Sequence, residues 1–269
     1  MTGRKPAPGP AAAPSSVEPS PPFPPLRIEQ EYRVRFDEAT PDGLAKTSAL
    51  LGYLQDVAWR HSEVFGFPRE WYAERGLAWV VRAMDVTLAA PIRDGDQLWV
   101  STRILGFRRV MARRQSELRA ADGAPAGVVI VDWAMTDGRA PVRVPGEISG
   151  IPGVERSSFV PTRVDLPPIP TGVRVQEIVP RLRELDPMGH ANNGVYLDWL
   201  DEAVTAAGGA DDVRAMARRY RVEYLRAAGP GVALRSIAWR DGPGWAWRLA
   251  DDTGDLVRGR LDPAVGSQP

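Results

Sequence analysis

The chain has 269 residues, with 34 Lys plus Arg balancing 34 Asp plus Glu, and contains no cysteine. That length can bury a substantial core in one large domain or two small ones. The charge balance lacks the positive field of a nonspecific nucleic-acid binder, and the missing thiols exclude disulfides, thiolate nucleophiles and cysteine-bound zinc.

The two histidines, His61 and His190, lie far apart, and neither an HExxH run nor a GxSxG elbow occurs, so neither a metal nor a serine nucleophile is expected. No stretch is long and apolar enough to span a membrane, and the first residues lack a signal-peptide core. A cytoplasmic protein without cofactor is the expectation.

Residues 1 to 25 are rich in Pro, Ala and Ser and read as a disordered tail. "EYRVRFDEA" then alternates, with Tyr32, Val34 and Phe36 on one face of a strand. After the turn residues "TPDG", the run "KTSALLGYLQDVAWRHSEVFGF" puts Leu50, Leu54, Val57, Ala58 and His61 on one helical face. Thr47 or Ser48 is the expected N-cap and Gly66 the stop. Four strand-like runs follow, "AWVVRAMDVTLA", "QLWVSTRILGF", "VMARRQSELRA" and "GVVIVDWAMTD", separated by turn residues. Residues 150 to 172 carry spaced prolines without periodicity, as a linker would.

The second half repeats the order: a strand "VRVQEIVPRL", a turn, a helical face of Val195, Tyr196, Trp199, Leu200 and Ala203, then four more candidate strands. Laying "SALLGYLQDVA" on "NGVYLDWLDEA" needs an offset of about 145 residues, which an internal duplication would leave. One long helix with antiparallel strands wrapped around it is the hotdog arrangement. The fold class expected is therefore α+β, two fused hotdog domains at residues 26 to 149 and 173 to 263, with a short tail at 264 to 269.

Chemistry concentrates in "ELDPMGHANNGVYLDWLDEA", residues 184 to 203. Asp-Pro and Gly189 predict a loop leading into a helix that starts near Asn192 or Asn193. The first turn of a helix presents free N–H groups that can hold the oxyanion of a tetrahedral intermediate. Beside it, Asp186 could attack a thioester or activate water, and His190 could orient water or carry a proton. Each residue also has an ordinary explanation, Asp186 as a turn former, Asn192 or Asn193 as a cap, His190 as a packed ring. Glu202 reads as solvated helix face first and second carboxylate next. Gln55 and Asp56 occupy the related place in the first helix.

At this point the chain resembles the acyl-acyl carrier protein thioesterases. The resemblance rests on "LLGYLQDVAWRH", "AWVVRAMDVTL", "GDQLWVSTRI", "DWAMTDGRAPVRVP", "LDPMGHANNGVYLDW", "VEYLRAAG" and "LVRGRLD", in order from Arg27 to Pro263. It implies tandem hotdog domains that hydrolyse a fatty acyl thioester on acyl carrier protein and so end chain elongation. The family's catalytic aspartate and histidine match Asp186 and His190. Its catalytic asparagine falls on Met188, and its glutamate and neighbouring cysteine fall on Ala227 and Ala228. Methionine is a weak acceptor without a donor, and alanine holds no water. An acyl-CoA thioesterase and a noncatalytic acyl-thioester-binding protein therefore stay open as alternatives.

Acyl carrier protein is acidic, and Arg108, Arg109, Arg113, Arg114, Arg218 and Arg219 could dock it, although solvated strand and helix faces explain such runs somewhat better. Trp79, Trp99, Trp133 and Trp199 could line an acyl channel or be plain core. Two fused units already supply the minimal hotdog pair, so a further homodimer stays open.

Overall fold

In the computed structural model, residues 24–154 and 158–263 are described. The Pro-rich stretch at 1–23 and the end at 264–269 lie outside them.

The elements in chain order are β1 (Arg27–Arg33), α1 (Thr47–Val64), α2 (Arg69–Glu74), β2 (Ala78–Leu88), β3 (Gln97–Arg108), β4 (Met111–Ala120), β5 (Pro125–Thr136) and α3 (Gly146–Ser149). The second half has β6 (Val175–Ile178), α4 (Val195–Ala206), α5 (Ala210–Arg214), β7 (Arg218–Tyr224), β8 (Leu234–Asp241), β9 (Gly244–Asp251) and β10 (Gly254–Pro263). All ten strands form one sheet in the order β1-β3-β4-β5-β2-β7-β10-β9-β8-β6. The order reads the same from either edge once each strand is exchanged for its counterpart, which is the signature of a tandem hotdog. The halves join where β2 pairs antiparallel with β7, from Ala83 opposite Glu223 to Leu88 opposite Arg218.

Each helix buries one stripe against its half of the sheet. Leu50, Leu51, Tyr53, Leu54, Val57 and His61 are buried on α1, and Tyr196, Leu197, Trp199, Leu200, Ala203 and Val204 on α4, as a 3.6-residue period requires. The helix starts meet at Gly194. A Cβ there would stand 3.1 Å from the carbonyl oxygen of Ser48 and 3.2 Å from its Cα, so glycine permits the two backbones to close up.

Several local expectations are corrected. β1 ends at Arg33, and Phe36 falls in a 3₁₀ turn and is 88% exposed instead of sharing a strand face with Tyr32. Lys46, not Thr47 or Ser48, stands at the N-cap of α1, and α4 begins at Val195, later than the asparagines. The loops also superpose one residue away from the sequence overlay. Thr40 N–H bonds Leu44 O as Asp186 N–H bonds His190 O, and Gly43 (φ 77°) matches Gly189 (φ 79°), so Ser48 corresponds to Gly194.

The described part of 150–172 crosses the sheet without helix or strand and is fastened by two buried carboxylates. Asp132 accepts from Arg113 (2.6 and 2.8 Å) and from Thr162 N–H (2.8 Å). Glu223, at the junction strand, accepts from Arg163 (2.7 Å) and from Val164 N–H (3.0 Å). Charge-assisted bonds of this kind are strong for hydrogen bonds in proteins.

The halves differ inside. Between α4 and its strands the space is filled by Trp247, Trp245, Leu249 and Leu200, all buried, and Gly259 makes room for the Trp247 ring, since a Cβ would lie 2.7 Å from it. Beneath α1 a chamber remains, walled by Trp59, Phe65, Trp79, Phe107 and Trp133. One wall is held by His61, fully buried, whose Nδ1 accepts from Arg114 (2.8 Å) while Nε2 donates to Pro25 O (3.1 Å). Burial and the neighbouring guanidinium push the His61 pKa down from 6.5 to about 4. The unfolded chain then takes up a proton that the folded one refuses, so the contribution of His61 is intact above pH 6.5 and is lost as pH falls toward about 4. The melting temperatures of the wild type and of His61→Asn should therefore converge between pH 7 and pH 4.5. A constant gap would show that His61 takes up its proton alike in the folded and unfolded chains.

Candidate active site

The loop before α4 is a tight turn in which Asp186 and His190 are paired through their backbones. Asp186 N–H donates to His190 O (2.8 Å), and Gly189 N–H donates to Asp186 O (2.9 Å) with the left-handed conformation that glycine tolerates. The Asp186 side chain joins in through Oδ1, which accepts Met188 N–H (2.8 Å). The bland explanation is thus partly correct, because Asp186 does form an Asx turn.

The first half provides an internal control. The same turn at Thr40–Leu44 makes both corresponding backbone bonds, at 2.8 and 2.9 Å, with Thr40 in place of Asp186 and Leu44 in place of His190. The turn therefore requires neither a carboxylate nor an imidazole. Their presence in the second copy needs another explanation.

That explanation lies in the cleft on which they open. It holds about 200 Å³ and is lined by Asp186, Met188, His190, Asn193, Tyr196, Tyr224, Ala227 and residues 79–82 of β2. Asp186 is its sole carboxylate among the described residues. His190 is exposed on the rim, and Met188, half exposed, stands beside it. Asn193, at the entry to α4, also lines the cleft.

Two tyrosines escaped the sequence reading. Tyr196, taken there only as helix core, lines the cleft and accepts Ala228 N–H at its hydroxyl oxygen (2.8 Å), which leaves its own proton to give. Burial pushes its pKa up to about 12 against the downward pull of the Ala228 bond, and the Asp186 charge adds a smaller upward push. Tyr224 donates to Asn193 O (2.7 Å) and fixes the last residues before α4. The signal for Tyr196 was its place in the D-x-x-x-H-x-N-N-x-x-Y stretch. Tyr224 and Arg82 come from strands distant in sequence, and nothing local marks them.

The other candidates divide. Asn192 Oδ1 accepts Gly194 N–H (2.9 Å), and its Nδ2 lies 3.5 Å from Gln55 Oε1 on α1, so Asn192, Asn193 and Gln55 belong to the site region. Asp56 does not. It is engaged by Tyr32 (2.6 Å) and Arg60 (2.8 Å) away from the cleft. Glu202 lies in a separate opening with Asp198, Asp201 and the Thr40–Thr47 loop. That opening is the pseudo-symmetric counterpart of the cleft.

Of the arginines expected to dock a carrier, four are engaged within the chain. Arg114 points inward on β4 and lines the chamber, Arg113 is held by Asp132, Arg218 is buried against Tyr220, and Arg219 is paired with Asp85. Arg108 and Arg109 are exposed and lack a carboxylate partner among the described residues. The tryptophans also divide, since Trp79 and Trp133 line the chamber, Trp199 is core of the second half, and Trp99 is 39% exposed.

The cleft leads inward. Val81 and Asn193 line both it and a narrow throat, and the throat shares Gln55, Ala58, Arg114 and Trp133 with the chamber under α1. A carboxylate, a histidine and a helix start thus stand at the mouth of a mostly apolar passage.

Residues 25–151 match the family model described as the acyl-ACP thioesterase N-terminal domain. A palmitoyl-acyl carrier protein thioesterase, chloroplastic, from Cuphea hookeriana is 23% identical over 88% of this chain and 62% of its own length, so the chain spans under two thirds of that relative. Among solved structures, the 12:0-ACP thioesterase from Umbellularia californica aligns with a TM-score of 0.73 at 21% identity, over 88% of this chain and 97% of that one. An acyl-ACP thioesterase from Bacteroides thetaiotaomicron aligns with a TM-score of 0.70 at 16% identity, over the same shares. Residues 25–151 thus match the N-terminal domain of the acyl-ACP thioesterases, and the chain as a whole shares the tandem hotdog fold of the solved ones.

Proposed function

We propose that the chain hydrolyses fatty acyl thioesters on acyl carrier protein, releasing free fatty acid and carrier. The observation that carries this reading is the duplicated turn, which bears Thr40 and Leu44 where it faces the other opening and Asp186 and His190 where it faces the passage.

The thioester carbonyl would sit between Asp186 and the first turn of α4, with the acyl chain in the throat and the pantetheine arm leaving past Arg82. Asp186 takes a proton from water oriented by His190, and the hydroxide adds to the thioester carbon. Backbone N–H groups at the start of α4 and the Tyr196 hydroxyl hold the oxyanion. Collapse breaks the carbon–sulfur bond, and the thiolate recovers the proton. Direct attack by Asp186, with later hydrolysis of the anhydride, uses the same groups. The missing amide at Met188 and missing carboxylate at Ala227 leave His190, Asn193 and the Asn192–Gln55 pair to organise the water.

The test is fatty acid release from acyl carrier protein and CoA thioesters. Asp186→Asn should lower kcat at least about 100-fold. Unchanged activity in that variant would remove Asp186 from the mechanism, faster turnover of CoA esters would favour the acyl-CoA alternative, and tight binding without turnover would favour the noncatalytic one.

The carrier's phosphate would meet Arg82, which lines the cleft, gives one bond to Leu225 O (3.3 Å) and has no carboxylate partner among the described residues. Arg108 and Arg109 would add surface attraction. A cytoplasmic setting and pairing of two chains through the free sheet edges β1 and β6 complete the proposal. Arg82→Ala should raise KM for acyl carrier protein about 10-fold while kcat stays within about 2-fold, as loss of a charge-assisted phosphate contact predicts. An unchanged KM would move the docking site elsewhere.

A further inference from the structure

A passage built only for hydrocarbon has no use for a guanidinium in its wall. Arg114 lines both the throat and the chamber, and no carboxylate among the described residues lies within ion-pair distance of it. Its hydrogen bonds all leave through one nitrogen, Nη1, to His61 Nδ1 (2.8 Å) and Thr102 Oγ1 (3.3 Å). Nε and Nη2 have no partner among the described residues, so three of its five N–H donors are unspent. The indole N–H of Trp133, on the same stretch of wall, is also buried without an acceptor.

The remaining neighbours do not take up these donors. His61 is satisfied on both nitrogens by Arg114 and Pro25 O. The Ser116 hydroxyl donates to Thr102 Oγ1 (3.0 Å), which already receives Nη1. The Ser116 hydroxyl and the Gln55 amide oxygen share the throat wall but are not bonded to Nε or Nη2, which leaves those donors without a protein acceptor. What they lack is an oxygen.

On the proposed thioesterase reading, we propose that the passage selects acyl chains bearing an oxygen acceptor partway along, a hydroxyl, a keto carbonyl or a carboxylate, which Arg114 reads. The throat position of Arg114, inward of Asn193 and outward of Trp59 and Phe107, places the recognised group between the thioester and the chain end. The His61 bond fixes the guanidinium on one side and leaves its free edge for substrate. An anionic group would gain most, because it neutralises the buried cation.

The experiment measures binding, so it does not depend on turnover. Hydrolysis-resistant amide analogues of acyl pantetheine, of one chain length, are titrated calorimetrically into the full chain with the chain plain, hydroxylated, oxidised to a ketone, or ended by a carboxylate. At least one oxygenated analogue should bind about 10-fold or more tightly than the plain one, as a bond to a charged donor allows. Arg114→Met should abolish that preference, and Arg114→Lys, which keeps a cation, should retain part of it. If Arg114→Met does not fold, the Lys variant and the wild-type comparison still decide. Plain chains bound as tightly as all three oxygenated ones would overturn the proposal and leave Arg114 as a tie between β4 and α1. Preference without hydrolysis of any thioester would sustain it while removing the hydrolytic reading, and hydrolysis of plain chains without preference would do the reverse.

Discussion

The pairing of β2 with β7 is the constraint on which everything else rests. It makes one sheet of two halves, and the helices lying on that sheet are thereby brought start to start at Ser48 and Gly194. The loop of each half then faces the helix of the other. Gln55 of the first helix reaches Asn192 of the second loop only because of this exchange, so neither half alone contains the site. Glu223 sits on the junction strand and also holds the crossing segment through Arg163 and Val164.

Duplication placed the same backbone turn on both sides of the junction, and the copies then diverged in side chains more than in shape. One half is packed solid around Trp247 and Trp245, with Gly259 yielding to the ring. The other is hollow under α1. A reactive group is useful only beside space for a substrate, and Asp186 and His190 occur on the loop that opens toward the hollow half. The opposite opening keeps a different set, with Asp201 raised to about 7 by burial against the pull of Arg218 and of a hydrogen bond from Tyr220.

Periodicity made the architecture legible. Buried stripes on α1 and α4 fell on the positions that a 3.6-residue repeat selects, and all ten strands overlap runs visible in the sequence as alternating or continuous apolar segments. Phe36 misled, because alternation continues past Arg33 in sequence while the backbone has already turned. The arginine pairs misled for a related reason. "RR" on a strand places one side chain on each face, so Arg113 goes to Asp132 and Arg114 to the chamber, and a count of positive charge cannot separate them. Tyr224 and Arg82 belong to the site through strand pairing, which no local pattern encodes.

The proposed catalytic set is lean. Where the family has an amide between aspartate and histidine, Met188 offers its backbone N–H to Asp186 and leaves its side chain half exposed, so the turn survives the substitution while its side-chain chemistry does not. Where the family has a glutamate, Ala227 leaves open space in the cleft wall. Both losses remove groups that would hold water. What remains is one carboxylate with Oδ1 committed to the turn, one exposed imidazole, and a tyrosine whose oxygen is already engaged by Ala228 N–H and whose proton is therefore directed elsewhere. Substrate contacts must then supply the positioning that the lost side chains once gave, and a polar anchor deep in the acyl passage is one way to obtain it.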